Sequence, residues 1–257
     1  MKILLSTLLA LALAPGCAVP SLDVMPRYGS LDIDGSFGIT NSGTLTLADL
    51  SQAGFEKDNG VLGLRADLDF GAPRLVISLQ DSSHDGAGTL SADLTNGAGE
   101  TISAGSSVDS ALDIGLYQGV LTWDLFPGDT GELGIGLGIV AIDIDASITE
   151  SGGSTLDIDE FAPIPVISLR GGVKLGDLEV SGLLNAMEAS VGFNELSFID
   201  LDLFARYAIV GGEDRLRVSA GLGYRHAELD IESSEDGEDI AVNFAFTGPY
   251  LLFQLSF

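Results

Sequence analysis

Apolar side chains recur at every second position through most of this chain. In the run Leu62, Leu64, Ala66, Leu68, Phe70 the even positions are apolar, and Arg65, Asp67 and Asp69 fall between them. Ile167, Leu169, Val173 and Leu175 stand in the same way against Ser168, Arg170 and Lys174, and Ile199, Leu201, Leu203, Ala205 and Tyr207 against Asp200, Asp202, Phe204 and Arg206. Leu216, Val218, Ala220 and Leu222 alternate with Arg217, Ser219, Gly221 and, further on, Arg225. A period of two is that of a β-strand, whose successive side chains point to opposite faces. Two runs change phase, at Ile139-Val140 and at Gly248-Pro249. A β-bulge at each would restore one apolar face, and Pro249, which has no N–H to donate, suits a bulge.

The connections between runs alternate in length. Gly71-Ala72-Pro73, 127–131, Gly176-Asp177 and 211–214 are short and rich in turn-forming residues, whereas 41–60, 82–109, 149–160, 189–195 and 232–240 are long. They delimit ten strands beginning near 30–40, with eight the main alternative and both ends on one side. After the N-terminus no apolar run approaches the roughly 20 residues of a membrane helix. In lipid only helices and closed barrels satisfy every backbone group, and barrels that cross the bacterial outer membrane have short periplasmic turns and longer outer loops. The expected fold is all-β: a single antiparallel transmembrane β-barrel of about ten strands in the cell outer membrane, with an apolar lipid face and a polar lumen. Trp123, Phe126, Tyr207 and Phe257 fall near the short turns, where an interfacial aromatic belt belongs.

Thirty-four glycines argue against a helical bundle, because glycine costs about 1 kcal/mol relative to alanine inside a helix. Eleven Lys and Arg against 38 Asp and Glu give a formal charge of −27, which excludes a general nucleic-acid role, since that depends on neutralising phosphates. Such a surplus of acid is expected in solvated loops and a water-facing lumen, and any polyionic partner should be cationic. Residues 1–18 read as a signal peptide: Lys2 supplies the positive start, Ile3 to Ala14 the apolar core and Ala14 to Ala18 the small residues of a processing site. The mature domain is then the barrel, 19–257.

Three resemblances add to this reading. Leu13-Ala14-Pro15-Gly16-Cys17 resembles a bacterial lipoprotein processing box, which makes the sole cysteine, Cys17, a candidate for lipidation, with Ala18 next to it permitting sorting to the outer membrane. Phe253, Leu255 and Phe257 close an alternating run that resembles the signal by which the barrel-assembly machinery recognises outer-membrane barrels. Leu47-Ala48-Asp49-Leu50 with Gly54-Phe55, 85–90, Ala205-Arg206-Tyr207 ahead of 221–225, and 246–251 together resemble an uncharacterised family of Gram-negative outer-membrane β-barrels, within the broad group of small barrels that includes OmpA and OmpW. That resemblance implies the barrel and its compartment and brings no activity, substrate or catalytic residue.

Candidate chemistry is sparse. Of the two histidines, His84 lies in Asp81-Ser82-Ser83-His84-Asp85, the right residue types for nucleophilic catalysis, but neighbours along one strand or loop rarely face one another, so a surface loop is expected. His226, near Glu228 and Asp230, reads as a strand-end residue. The run Glu232, Glu235, Asp236, Glu238, Asp239 could hold divalent cations weakly, but it matches no calcium-loop spacing, so neither a metal nor another cofactor is expected. The lumen carries more information. Arg65, Arg170, Lys174, Arg206, Arg217 and Arg225 share the inward parity with Asp67, Asp69, Asp143, Asp145, Glu179, Asp200 and Asp202, so opposite charges should pair across a narrow bore and plug it. The expected function is structural or adhesive, not enzymatic: outer loops for binding on a plugged barrel among outer-membrane lipids and lipopolysaccharide. A narrow pore for small solutes comes second, and a lipid-modifying enzyme third.

Overall fold

The computed structural model describes residues 20–39, 47–49, 58–71, 73–90, 93–95, 101–126, 128, 130–153, 155–191, 194–211, 216–235 and 238–257. Ten long strands form the wall: β1 (Ser21–Ile39), β2 (Asp58–Asp69), β3 (Pro73–Thr89), β4 (Ser107–Phe126), β5 (Gly131–Glu150), β6 (Thr155–Leu175), β7 (Leu178–Val191), β8 (Asn194–Val210), β9 (Arg217–Glu235) and β10 (Glu238–Ser256). Each pairs antiparallel with the next, and β10 returns to β1 from Asp23–Ser256 to Ile39–Ile240, which closes the barrel. Closure reaches the last residue, because the Phe257 N–H donates to the Leu22 carbonyl at 2.9 Å and the Phe257 carbonyl oxygen accepts from the Leu22 N–H at 3.4 Å. Short strands at Leu47–Asp49, against the outer end of β1, and at 94–95 with 101–102 lie within the two long outer connections.

The first strand starts at Ser21, well before the 30–40 expected from its weak apolar pattern. The outer connections differ as well. Beyond β5, β7 and β9 the strands are joined by only 151–154, 192–193 and 236–237, so most of what reads as long loop is strand. Eight of the ten strands run 17 to 21 residues, against the 9–11 that span a bilayer. The wall therefore stands far above the membrane.

That height explains the changes of phase. Pairing runs without interruption through Ile139–Pro165 and Val140–Ile164, and through Gly248–Arg225 and Pro249–Tyr224, so neither expected bulge exists. The irregularities lie instead at the turn end, between Asp124 and Phe126 and between Ala208 and Val210. What reverses is the medium outside the wall. Low on β5, Ile135, Leu137 and Ile139 are exposed and glycines face in; higher up, Val140 and Ile142 are buried inside while Asp145 faces water. On β10, Leu251, Phe253 and Leu255 face out below, and Phe244 and Phe246 face in above. Where lipid gives way to water, apolar side chains move from the outer face to the lumen.

The acids follow the same rule. Asp32, Asp81, Asp113, Asp145, Asp159, Glu188 and Asp230 are exposed on the outer wall, and Asp143 and Asp145 point away from the lumen in which the expected bulge at Ile139-Val140 had placed them. All eight described basic side chains, Arg27, Arg65, Arg74, Arg170, Lys174, Arg206, Arg217 and Arg225, occupy inward positions.

Candidate functional site: a tiered lumen

At the periplasmic end a cavity of about 210 Å³ opens among ion pairs. Arg74 bridges Asp69 at 2.6 Å and Glu132 at 3.0 Å, and Arg170 binds Asp124 and Glu132 and donates from Nε to the Thr122 hydroxyl at 3.2 Å. Arg206 pairs with Glu179 and donates to Gln254. Lys174 lies exposed at the mouth.

A drier tier lies above. Arg65 forks onto Asp67, Nε at 2.6 Å and Nη2 at 2.9 Å, and reaches Asp202 with Nη1 at 3.1 Å. Arg27 donates to the same Asp202 oxygen at 2.8 Å, and the Tyr250 hydroxyl donates to the other. Arg225 forks onto Asp200 at 2.9 and 3.0 Å and donates to Gln80 at 2.9 Å, while Ser168 donates to Asn185 and Asn185 to Asp200. The Phe204 ring fills the space between the guanidiniums of Arg27, Arg65 and Arg206, 5.6, 5.1 and 5.7 Å from its centre. Arg27, Arg65 and Arg225 balance Asp67, Asp200 and Asp202, and all six are 9 % exposed or less. Burial of charge costs several kcal/mol per ion, which close pairing must offset: Arg65 and Arg225 fork onto their carboxylates, whereas Arg27 binds through Nη1 alone and lies over the Phe204 and Tyr250 rings.

The third tier is apolar. Ile33, Val76, Leu112, Ile114, Val140, Ile142, Ile164, Phe198, Leu229, Phe244 and Phe246 close the bore above the charges, and a smaller cluster of Leu90, Ile102, Val108, Ile148 and Leu156 lies apart from it.

Of the residues singled out from sequence, Arg65, Asp67, Asp200, Asp202 and Arg225 come together in the dry tier, and Asp69, Arg170 and Arg206 line the mouth with other partners: Arg206 takes Glu179 in place of the β8 aspartates. Arg217 stands at the turn end of β9 opposite Ser256 and has no ion pair among the described residues. Arg27, Arg74, Glu132 and Tyr250 were not foreseen. Arg27 escaped because it precedes the apparent start of the first strand, although Leu22, Val24 and Tyr28 already carry the parity that turns it inward. Phe253, Leu255 and Phe257 face lipid. Cys17 lies outside the described residues.

His84 is not on a surface loop. It faces the lumen on β3, opposite Leu112, and is 1 % exposed. His226 is on the outer face, 2.8 Å from the Thr247 hydroxyl and 3.7 Å from Glu228. The wall separates the two imidazoles, so they cannot act on one substrate. No group of three metal-binding side chains occurs among the described residues.

No protein-family model matches the chain, and no curated protein does. Among solved structures it is similar to the outer-membrane protease OmpT of Escherichia coli, with a TM-score of 0.61 and 10 % identity over 95 % of this chain and 99 % of that one. OprG of Pseudomonas aeruginosa aligns with a TM-score of 0.37 and 11 % identity over 94 % of this chain and 98 % of that one. At such identity the likeness to OmpT speaks for the fold alone. With its closed antiparallel wall and its apolar belt, the chain is a β-barrel of the Gram-negative outer-membrane type.

Proposed function

We propose that this barrel is a non-conducting anchor that holds a stiff, acidic β-wall above the membrane as a binding surface, with no catalytic role. The observation that supports it is the double seal: a charge-balanced tier whose guanidiniums span the bore, followed by an apolar tier. A conducting barrel of this strand number would need its inward side chains small or hydrated at every level. Above the membrane no described basic side chain faces outwards, so the wall attracts cationic partners and repels anionic ones. In this reading the lipids and lipopolysaccharide of the outer membrane surround the belt, weakly held divalent cations screen the acids, and the assembly machinery reads the C-terminal strand. Purified barrel in planar bilayers tests the anchor: silence across physiological voltages is expected, and steady ion-selective channels would replace this reading with the narrow pore.

A further inference from the structure

The barrel wall is slit on one side. Pairing between β6 and β7 runs from Leu175–Leu178 to Ile167–Ala186 and stops, although β6 continues outwards for twelve residues, 155–166, and β7 for five, 187–191. Beyond that point β6 remains paired with β5 as far as Thr149–Thr155, and β7 with β8 as far as Val191–Asn194. The cause is in the sequence. Pro163 and Pro165 pair with Ala141 and Ile139 on β5, and a proline keeps its place in such a ladder only where its nitrogen points away from that partner. Both nitrogens therefore face β7. The next two rungs, opposite Glu188 and Ser190, lack their donors, and the ladder ends directly beneath them.

The β6 lip of the slit is apolar on both faces. Outside, Phe161, Pro163, Pro165 and Ile167 are exposed and carry the lipid-facing belt upwards along β6. Inside, Ile164 and Val166 are buried in the apolar tier. Pairing between β2 and β3 also ends early, at Leu62–Asp81, but there the outward positions that follow on β3 are Asp81, Ser83 and Asp85, which belong in water. Among the described residues, the β6 edge alone joins the belt to the apolar interior. Unpaired backbone is costly against hydrocarbon, and an edge from which two N–H groups are missing is the one that hydrocarbon tolerates best.

We propose that this slit is a lateral binding site for a hydrocarbon chain, supplied by an outer-leaflet lipid, which lies along the β6 edge against Phe161, Pro163 and Pro165 and reaches Ile164. Continuity with the belt selects that occupant, and Glu188 across the slit sets the level where the polar part of the molecule begins.

The test uses tryptophan quenching by phosphatidylcholine brominated on its acyl chains. In a Trp123→Phe background, Ile164→Trp should be quenched at least threefold more strongly than Phe246→Trp, which sits in the same apolar tier four strands away on β10. Pro163→Val with Pro165→Val restores both donors, lets the ladder extend, and should bring Ile164→Trp down to the level of Phe246→Trp. Native mass spectrometry gives a second reading without tryptophan substitution: wild-type barrel should retain a lipid that the double proline variant loses. Equal quenching at positions 164 and 246, or equal lipid retention by wild type and the proline variant, overturns the site. Neither result bears on whether the bore conducts.

Discussion

Arg27 on β1 and Asp202 on β8 are 175 positions apart in the chain and 2.8 Å apart in the lumen. Asp202 also receives Arg65 of β2 and Tyr250 of β10, so one carboxylate ties four strands together across the bore. Asp202→Ala would strand the Arg27 guanidinium in a space with almost no solvent and leave Arg65 with Asp67 as its one carboxylate partner among the described residues. Breaking a buried pair costs about 3–5 kcal/mol, and urea unfolding followed by Trp123 fluorescence should show a loss of that order. Arg217→Ala, at the turn end, should change stability by less than about 1 kcal/mol.

The two tiers should fail independently. Arg225→Ala removes the fork onto Asp200 but leaves the apolar tier, so planar bilayers should stay silent. Adding Phe198→Ala empties part of that tier and should admit flickering current. Current from Arg225→Ala alone would mean that the charges are the whole seal.

Tyr250 faces Gly223 of β9 and Gly29 of β1, and a Cβ built on Gly223 would run into the Tyr250 ring. Gly223→Val should therefore destabilise the barrel by about 1–3 kcal/mol through overpacking. In the Tyr250→Ala background the same substitution should cost little, and a double-mutant cycle in urea reads the difference.

Deleting Phe257 removes both backbone bonds to Leu22 and leaves the seam between β10 and β1 open at its lipid-facing end. The heat-modifiable folded form on unboiled gels should fall sharply. Leu255→Ser, which keeps the seam but puts a hydroxyl into the belt, should lower it less.

On the outer wall Asp113, Asp145 and Asp159 stand directly opposite one another on β4, β5 and β6. Like charges in register repel, so Asp145→Asn should raise the melting temperature at low salt. The gain should vanish near 1 M salt, where the screening length shrinks to about 3 Å.

Strand number, antiparallel order and the face of each membrane-spanning run were legible in the sequence, because alternation against lipid is strict: Leu62 to Phe70 and Ile199 to Tyr207 leave one choice. The upper wall was harder to read. Asp143 and Asp145 continue the parity of Ile139, so they lie on the outer face; reading the change at Val140 as a bulge turned them inward. Parity says which residues share a face, but not which medium that face meets. Strand ends were missed for the same reason, since acidic alternation such as Asp157 and Asp159 is the mark of a strand in water and looks like a loop to an eye set for lipid. The partners of each arginine were beyond reach, because pairing across a bore depends on strand tilt: Arg74 finds Glu132, 58 positions away, through that tilt and not through any spacing in the chain.

The reversal of polarity part-way up the wall works as a waterline. Lifting the barrel by one residue pair would bring leucines and isoleucines out of the hydrocarbon, and sinking it by as much would submerge carboxylates such as Asp81 and Asp145. Both displacements are opposed around most of the circumference at once, so the depth at which the molecule floats is set by side chains alone, with no loop or partner needed to hold it there.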